Sequence, residues 1–201
     1  REFKKPDEKQ TRRESAFFWE ERNKWFSDIW SDIKGTSQIL GDKYTRSRSA
    51  AYPFDLAYRL INMYAAKGDL VLDPFFGIGT TMAAAMASGR NSIGFEIDST
   101  LKETIQSIPE FIIDFSNDHI NNRIMKHIIF SAKWIKENVQ MKYTNKHYGF
   151  PVMTAQEKEL ILNELVDIKK TNDDGFEVFY SDEPQSMFCK NWENRNTEDR
   201  N

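Results

Sequence analysis

The chain has one cysteine, Cys189, in 201 residues. A lone thiol forms no internal disulfide and no zinc–thiolate cluster, so a reducing, cytoplasmic setting is expected. The three histidines, His119, His127 and His147, lack metal-ligand spacing and read as structural; no metal site is expected. No apolar run approaches the length of a membrane span, and no charged-then-apolar leader is present. The six prolines, Pro6, Pro53, Pro74, Pro109, Pro151 and Pro184, include no adjacent pair. Charge is short on neither side: 28 Lys and Arg against 31 Asp and Glu leave a formal −3. That balance neither demands nor excludes a nucleic-acid partner, because the clustering of positive charge decides. The chain opens on Arg1, which suits a processed product, a fragment or one chain of a split protein.

What is present is concentrated in Leu70–Thr81 (LVLDPFFGIGTT). An apolar run ends in Asp73, breaks into a turn carrying Gly77 and Gly79, and passes through Thr80 and Thr81 into an alanine-rich stretch. The pattern predicts a buried strand, a tight turn and a helix start, the geometry with which open α/β sheets hold nucleotide-like cofactors. No third glycine follows where a pyrophosphate would need one. Glu96 ends the next predicted strand, 92–97, where a carboxylate can accept from both hydroxyls of a ribose. An adenosine-bearing ligand without a pyrophosphate, such as S-adenosylmethionine, suits this set. A plain structural turn is the alternative for the glycines alone.

Around this unit, residues 1–10 are charged and expected to be poorly ordered. Thr11–Glu14 has capping-box spacing and predicts a helix through the aromatic residues Phe17 to Phe26. Trp25–Ile33 reads as the end of that helix or a short strand, and 34–50 as a loop. Leu56, Leu60 and Met63 predict a helix from Pro53 to about Lys67. Strand 70–72, a helix over 80–87 and strand 92–97 form one right-handed parallel crossover. Beyond it, a short helix ends near Ile108, before Pro109. A long one follows, striped by Ile120, Ile124, Ile128, Ala132, Ile135 and Val139. Residues 141–153 read as a loop. The Thr154–Glu157 capping box predicts a helix to about Lys170, then a turn at Asp173–Gly175, a strand over 176–180 and a mobile polar tail. Three segments result: 1–50, 51–108 and the mainly helical extension 109–201.

From Tyr52 to Ile108 the sequence resembles the β-type amino-group DNA methyltransferases, which make N4-methylcytosine or N6-methyladenine. Leu70–Thr81 is similar to the family's D-P-F-x-G-x-G-T-T signature, Gly89–Arg90 and Ile93–Asp98 to its G-R…I-G-I-E-I-D segment, and Tyr52–Ile61 to the helix before the cofactor strand. Asp28-Ile29-Trp30 resembles its D-[IV]-W triplet, while Arg48 and Ser49 stand where the family commonly has His-Pro. The resemblance implies part of a Rossmann-like methyltransferase sheet that binds S-adenosylmethionine. Its cofactor residues would be Tyr52, Pro53, Asp73, Pro74, Phe75, Gly77, Gly79, Thr80, Thr81 and Glu96.

The same resemblance implies what is missing. The exocyclic amine of a base is a poor nucleophile, and the family meets this with a [DNS]-P-P-[YFW] segment placed before the cofactor signature. With no adjacent prolines, this chain has no catalytic residues of that kind and corresponds to the C-terminal half. A second chain, or a half removed by cleavage, is expected to carry the segment. Half a sheet would expose an unpaired edge and apolar surface.

Positive charge gathers in two places. Lys43, Arg46 and Arg48 lie in the variable loop, where contact with DNA and simple solvation are about equally favoured. Between Arg123 and Lys146 six basic residues face one acid, Glu137, with Tyr143, His147, Tyr148 and Phe150 among or after them; Lys142 and Lys146 are the candidate phosphate contacts. The alternative, a solvated helix face followed by an ordinary loop, is slightly favoured. Trp19, Trp25 and Trp30 read as core or interface. Residues 155–201, with twelve acids and six bases, disfavour DNA contact. The reading is thus a site-specific, restriction–modification DNA methyltransferase subunit; an RNA base methyltransferase or a non-catalytic cofactor- or DNA-binding module are the alternatives.

Overall fold

In the computed structural model, β1 (Leu70–Asp73) and β2 (Asn91–Gly94) run parallel, joined by α4 (Thr80–Met86), as the apolar–glycine–alanine pattern predicts. The structure describes residues 2, 5–34, 52–137, 140–172 and 174–189. The remaining elements are α1 (Pro6–Glu14), α2 (Trp19–Trp25), α3 (Phe54–Tyr64), α5 (Lys102–Gln106), α6 (Pro109–Glu137), β3 (Tyr143–Thr144), β4 (Pro151–Val152), β5 (Leu165–Lys170) and β6 (Phe176–Tyr180). They fall into two packing units: residues 27–117 with 165–180, here the sheet unit, and residues 1–26, 118–164 and 181–201, here the helical unit. These boundaries follow packing, and differ from three consecutive segments because the β5–β6 hairpin joins the crossover.

In the sheet unit Leu70 pairs with Asn91 and Asp73 with Gly94. Strand pairing stops at Gly94, earlier than the predicted 97, although Phe95 N–H still donates to Asp73 O at 3.0 Å. The reason is local: the Phe76 ring lies across Gly94, where a β-carbon would collide with it. Helix α3 starts after Pro53, which presets the extended entry, and buries Phe54, Tyr58 and Ile61. Phe115 meets the Phe54 ring edge-on at 4.7 Å. Every side chain of α4 is buried, so its small alanines allow close approach on all sides.

The predicted helix to Lys170 is corrected. Glu157 does close the Thr154 capping box, accepting from its N–H and hydroxyl at 2.7 Å, but only a single 3-10 turn, Ala155–Glu159, follows. Leu160, Ile161 and Leu162 then turn inward as core, and Leu165–Lys170 pairs antiparallel with Phe176–Tyr180. Local capping propensity loses here to the burial of three aliphatics and a hairpin ladder. Asp174, at φ 58°, makes the turn and takes Lys102 at 2.8 Å and Gln106 at 3.1 Å. Tyr180 OH donates to Met86 O at 2.6 Å, satisfying a carbonyl at the end of α4.

The helical unit has one core: Phe18, Ile120, Ile124, Ile128, Tyr148, Phe150, Val152, Leu160 and Phe188 among others. The isoleucine stripe therefore faces inward, as its spacing predicts; Val139 lies outside the described residues. Three N-terminal expectations are revised. Helix starts at Pro6, with Lys5 N–H donating to Glu8 at 3.1 Å, so residues 6–10 are helical. Thr11 sits within α1, and the aromatic segment forms a separate helix, α2, after Phe18. Trp25 ends α2, and residues 27–34 continue as turns and irregular backbone. Residues 141–153 contain the short β3–β4 pair, and Phe188 is buried, so the tail is anchored at least that far.

Candidate functional site

Asp73, the last residue of β1, organises the turn that follows it. Its Oδ1 accepts from Phe75 N–H at 3.0 Å, and its Oδ2 accepts from Thr81 Oγ1 at 2.5 Å and Tyr52 OH at 3.1 Å. The Tyr52 and Thr81 hydroxyls also bond each other. One carboxylate thus joins the strand end, the first turn of α4 and the segment before α3. Burial, aided by the negative Asp73, pushes the Tyr52 phenol above its ordinary range, so it acts as a neutral donor.

Gly77 and Gly79 both adopt left-handed backbone, at φ 54° and 83°, for different reasons. A β-carbon on Gly79 would lie 2.7 Å from Ile108 Cδ1, so this glycine lets the turn close against the segment after α5. A β-carbon on Gly77 would meet nothing within 4 Å, so this glycine borders open space. Gly77 N–H donates to Glu96 Oε2 at 2.7 Å, and Asp98 N–H to Glu96 Oε1 at 2.8 Å. The Glu96 carboxylate is held from both sides by main chain, half-buried, with lone pairs left for further donors.

The predicted residues therefore gather at one strand end. Tyr52, Asp73 and Thr81 form one cluster, Gly77 and Glu96 another, and Phe75 is tied to the first by its backbone. Pro53 and Gly79 are the residues immediately before α3 and α4, Thr80 is buried, and Pro74 and Phe75 are exposed beside the turn. One supporting contact has no signature in spacing. Arg59, buried on α3, makes a two-pronged ion pair with Asp32 and lies 5.5 Å over the Trp30 ring. The Asp-Ile-Trp triplet hinted at this segment, but the acid that pairs stands two residues beyond Trp30.

The basic–aromatic segment is revised. Arg123 is buried and chelates Glu21 at 2.6 and 2.7 Å, while Tyr148 and Phe150 are core. Lys146 pairs with Glu159, and Lys142 is exposed, 5.3 Å over Tyr143. Lys43, Arg46 and Arg48 lie outside the described residues. His127 is fully buried: Nδ1 is 2.8 Å from Glu20, Nε2 is 3.0 Å from Pro151 O, and Phe18 stacks on the ring at 4.0 Å. Glu157, whose carboxylate receives Trp19 N–H at 2.9 Å, completes a cluster with ligand-type atoms within 4.8 Å. Among the described residues no helix is long and apolar enough to cross a membrane.

A parallel crossover with a glycine turn and an acid after the second strand defines a Rossmann-like α/β protein. Residues 1–107 match the model of the N6/N4 methyltransferases described as DNA methylase, and the chain belongs to that family. It is 50% identical over 182 residues to the type II methyltransferase M.MthZI of Methanothermobacter thermautotrophicus, covering 90% of this chain and 50% of that protein. It is 46% identical over 110 residues to M.MjaI of Methanocaldococcus jannaschii, covering 53% and 33%. A solved putative DNA modification methylase of Thermus thermophilus, complexed with S-adenosyl-L-methionine, is 30% identical, covers 56% of this chain and 40% of its own, and has a TM-score of 0.43. The chain spans half the length, or less, of these relatives.

Proposed function

We propose that this chain is the S-adenosylmethionine-binding part of a restriction–modification DNA methyltransferase that methylates an exocyclic amine, cytosine N4 or adenine N6. The observation that carries the reading is Glu96, fixed by Gly77 and Asp98 N–H beside a bare Gly77 α-carbon. A doubly anchored carboxylate is preorganised to accept from two ribose hydroxyls, and the open space at Gly77 admits a ligand against main chain. Phe75 offers an exposed ring beside the adenine position. Tyr52, Asp73 and Thr81 hold the turn rigid, with Pro53, Pro74, Gly79 and Thr80 shaping it. When bound, the cofactor supplies an electrophilic methyl group on its sulfonium.

The acceptor side belongs to another polypeptide segment. No two prolines are adjacent here, so the Pro-Pro-aromatic element that would hold the target amine comes from elsewhere. DNA contact falls to Lys142 and to Lys43, Arg46 and Arg48; Lys146 serves after leaving Glu159. The reading places the protein in the cytoplasm with its DNA.

Calorimetric titration tests the cofactor assignment directly. S-adenosylmethionine is expected to bind one to one, with NAD giving no heat. Failure to bind S-adenosylmethionine by a folded chain would reject the assignment.

A further inference from the structure

The β1–β2 ladder leaves one face bare. Strand alternation and register put Leu70, Leu72 and Ile93 on one side, with Phe95 following in phase. Their exposures are 61%, 63%, 47% and 62%, so four large apolar side chains stand together in water. Parallel sheets occur almost only with both faces covered. The sheet also ends at both strands: its order is simply β1-β2, leaving each with an outer edge unpaired among the described residues.

We infer that this face and its edges are the docking surface for the catalytic half of the enzyme, which adds parallel strands alongside β1 and β2 and lays an apolar helix stripe over Leu70, Leu72, Ile93 and Phe95. The inference rests on the function proposed above and names the partner of that site. Three features select this occupant. The chain aligns over 90% of its length with M.MthZI but over only 50% of that protein, so an equal length of polypeptide has no counterpart here. The four side chains carry no charge, which suits a helix and strands and gives DNA phosphates nothing to bind. The surface also runs into the turn that holds Gly77 and Glu96, at the C-terminal ends of both strands. A strand added in parallel ends beside that turn and brings its own terminal segment to the methyl donor.

The experiment co-expresses the chain with the half of M.MthZI that it does not match. Light scattering reads the complex, and label transfer from S-adenosylmethionine to DNA reads activity. A one-to-one complex is expected, with transfer at least tenfold above either half alone. The double variant Leu72→Asp/Ile93→Asp should weaken the complex and transfer at least tenfold, while the chain's thermal melt and cofactor binding stay unchanged. A complex and transfer that survive both aspartates would overturn the inference, as would the absence of a complex from a chain that binds the cofactor. A homodimer of this chain broken by the aspartates would assign the face to a second copy and overturn it too. An aspartate-sensitive complex without cofactor binding would support the docking surface while rejecting the cofactor reading.

Discussion

Gly77 N–H points into the carboxylate of Glu96, 19 residues further along the chain, at 2.7 Å. The bond clips the glycine turn to the end of β2, so the acid is oriented before any ligand arrives. Preorganisation of this kind removes the ordering cost of one carboxylate from the binding step.

Replacing Glu96 by alanine should weaken S-adenosylmethionine binding by about 1.5–3 kcal/mol, the range for hydrogen bonds to a charged partner. Glu96→Gln, which keeps one acceptor, should lose less. Titration calorimetry on folded variants reads both; equal affinity in all three proteins would remove Glu96 from the ribose.

The two glycines should separate stability from binding. Gly79→Ala combines left-handed strain of about 1–2 kcal/mol with overpacking against Ile108 of about 1–3 kcal/mol. Gly77→Ala carries only the strain and projects its methyl into open space. Thermal melts should rank Gly79→Ala as the less stable, with Gly77→Ala showing the larger loss of cofactor affinity relative to its stability. The reverse ranking would contradict the packing described.

Arg59 ties residues 27–34 to α3 through Asp32 and Trp30. Arg59→Ala leaves the Asp32 carboxylate without its guanidinium and empties a buried position, at a cost of about 1–3 kcal/mol. Hydrogen exchange should accelerate in residues 27–34 more than in β5 and β6. Uniform acceleration across the sheet unit would show that the pair is not a local tether.

Glu157 supplies a pH test. Burial holds its carboxyl above the ordinary range, opposed by donors from Thr154 and Trp19 and by the nearby His127. A raised carboxyl binds its proton more tightly in the folded state. Its contribution is full below the unfolded pKa of about 4.3 and is lost as pH rises through the folded value. Glu157→Gln removes this dependence, so the melting temperature of the variant relative to the parent should climb between pH 4 and pH 7. Parallel curves would refute the assignment.

Much of the site was legible because it is local. Asp73, Gly77, Gly79, Thr80 and Thr81 lie within nine residues, and a strand–turn–helix written in consecutive residues needs no distant partner to be recognised. The β5 strand and the fate of Arg123 were illegible for the opposite reason. Thr154–Glu157 is a valid helix start whose continuation depends on Phe176–Tyr180, and Arg123 looks like a surface cation until Glu21 is brought to it.

By itself, then, the amino-acid order determined the crossover, the glycine turn and the carboxylate that follows it, because backbone conformation and short-range hydrogen bonding are set by neighbours in the chain. Tertiary structure alone decided which glycine borders open space, that Glu96 is clamped by Gly77 and Asp98, and that Leu70, Leu72, Ile93 and Phe95 are left uncovered. Exposure and contact are properties of what packs against a residue, and residues far apart in sequence supply that packing.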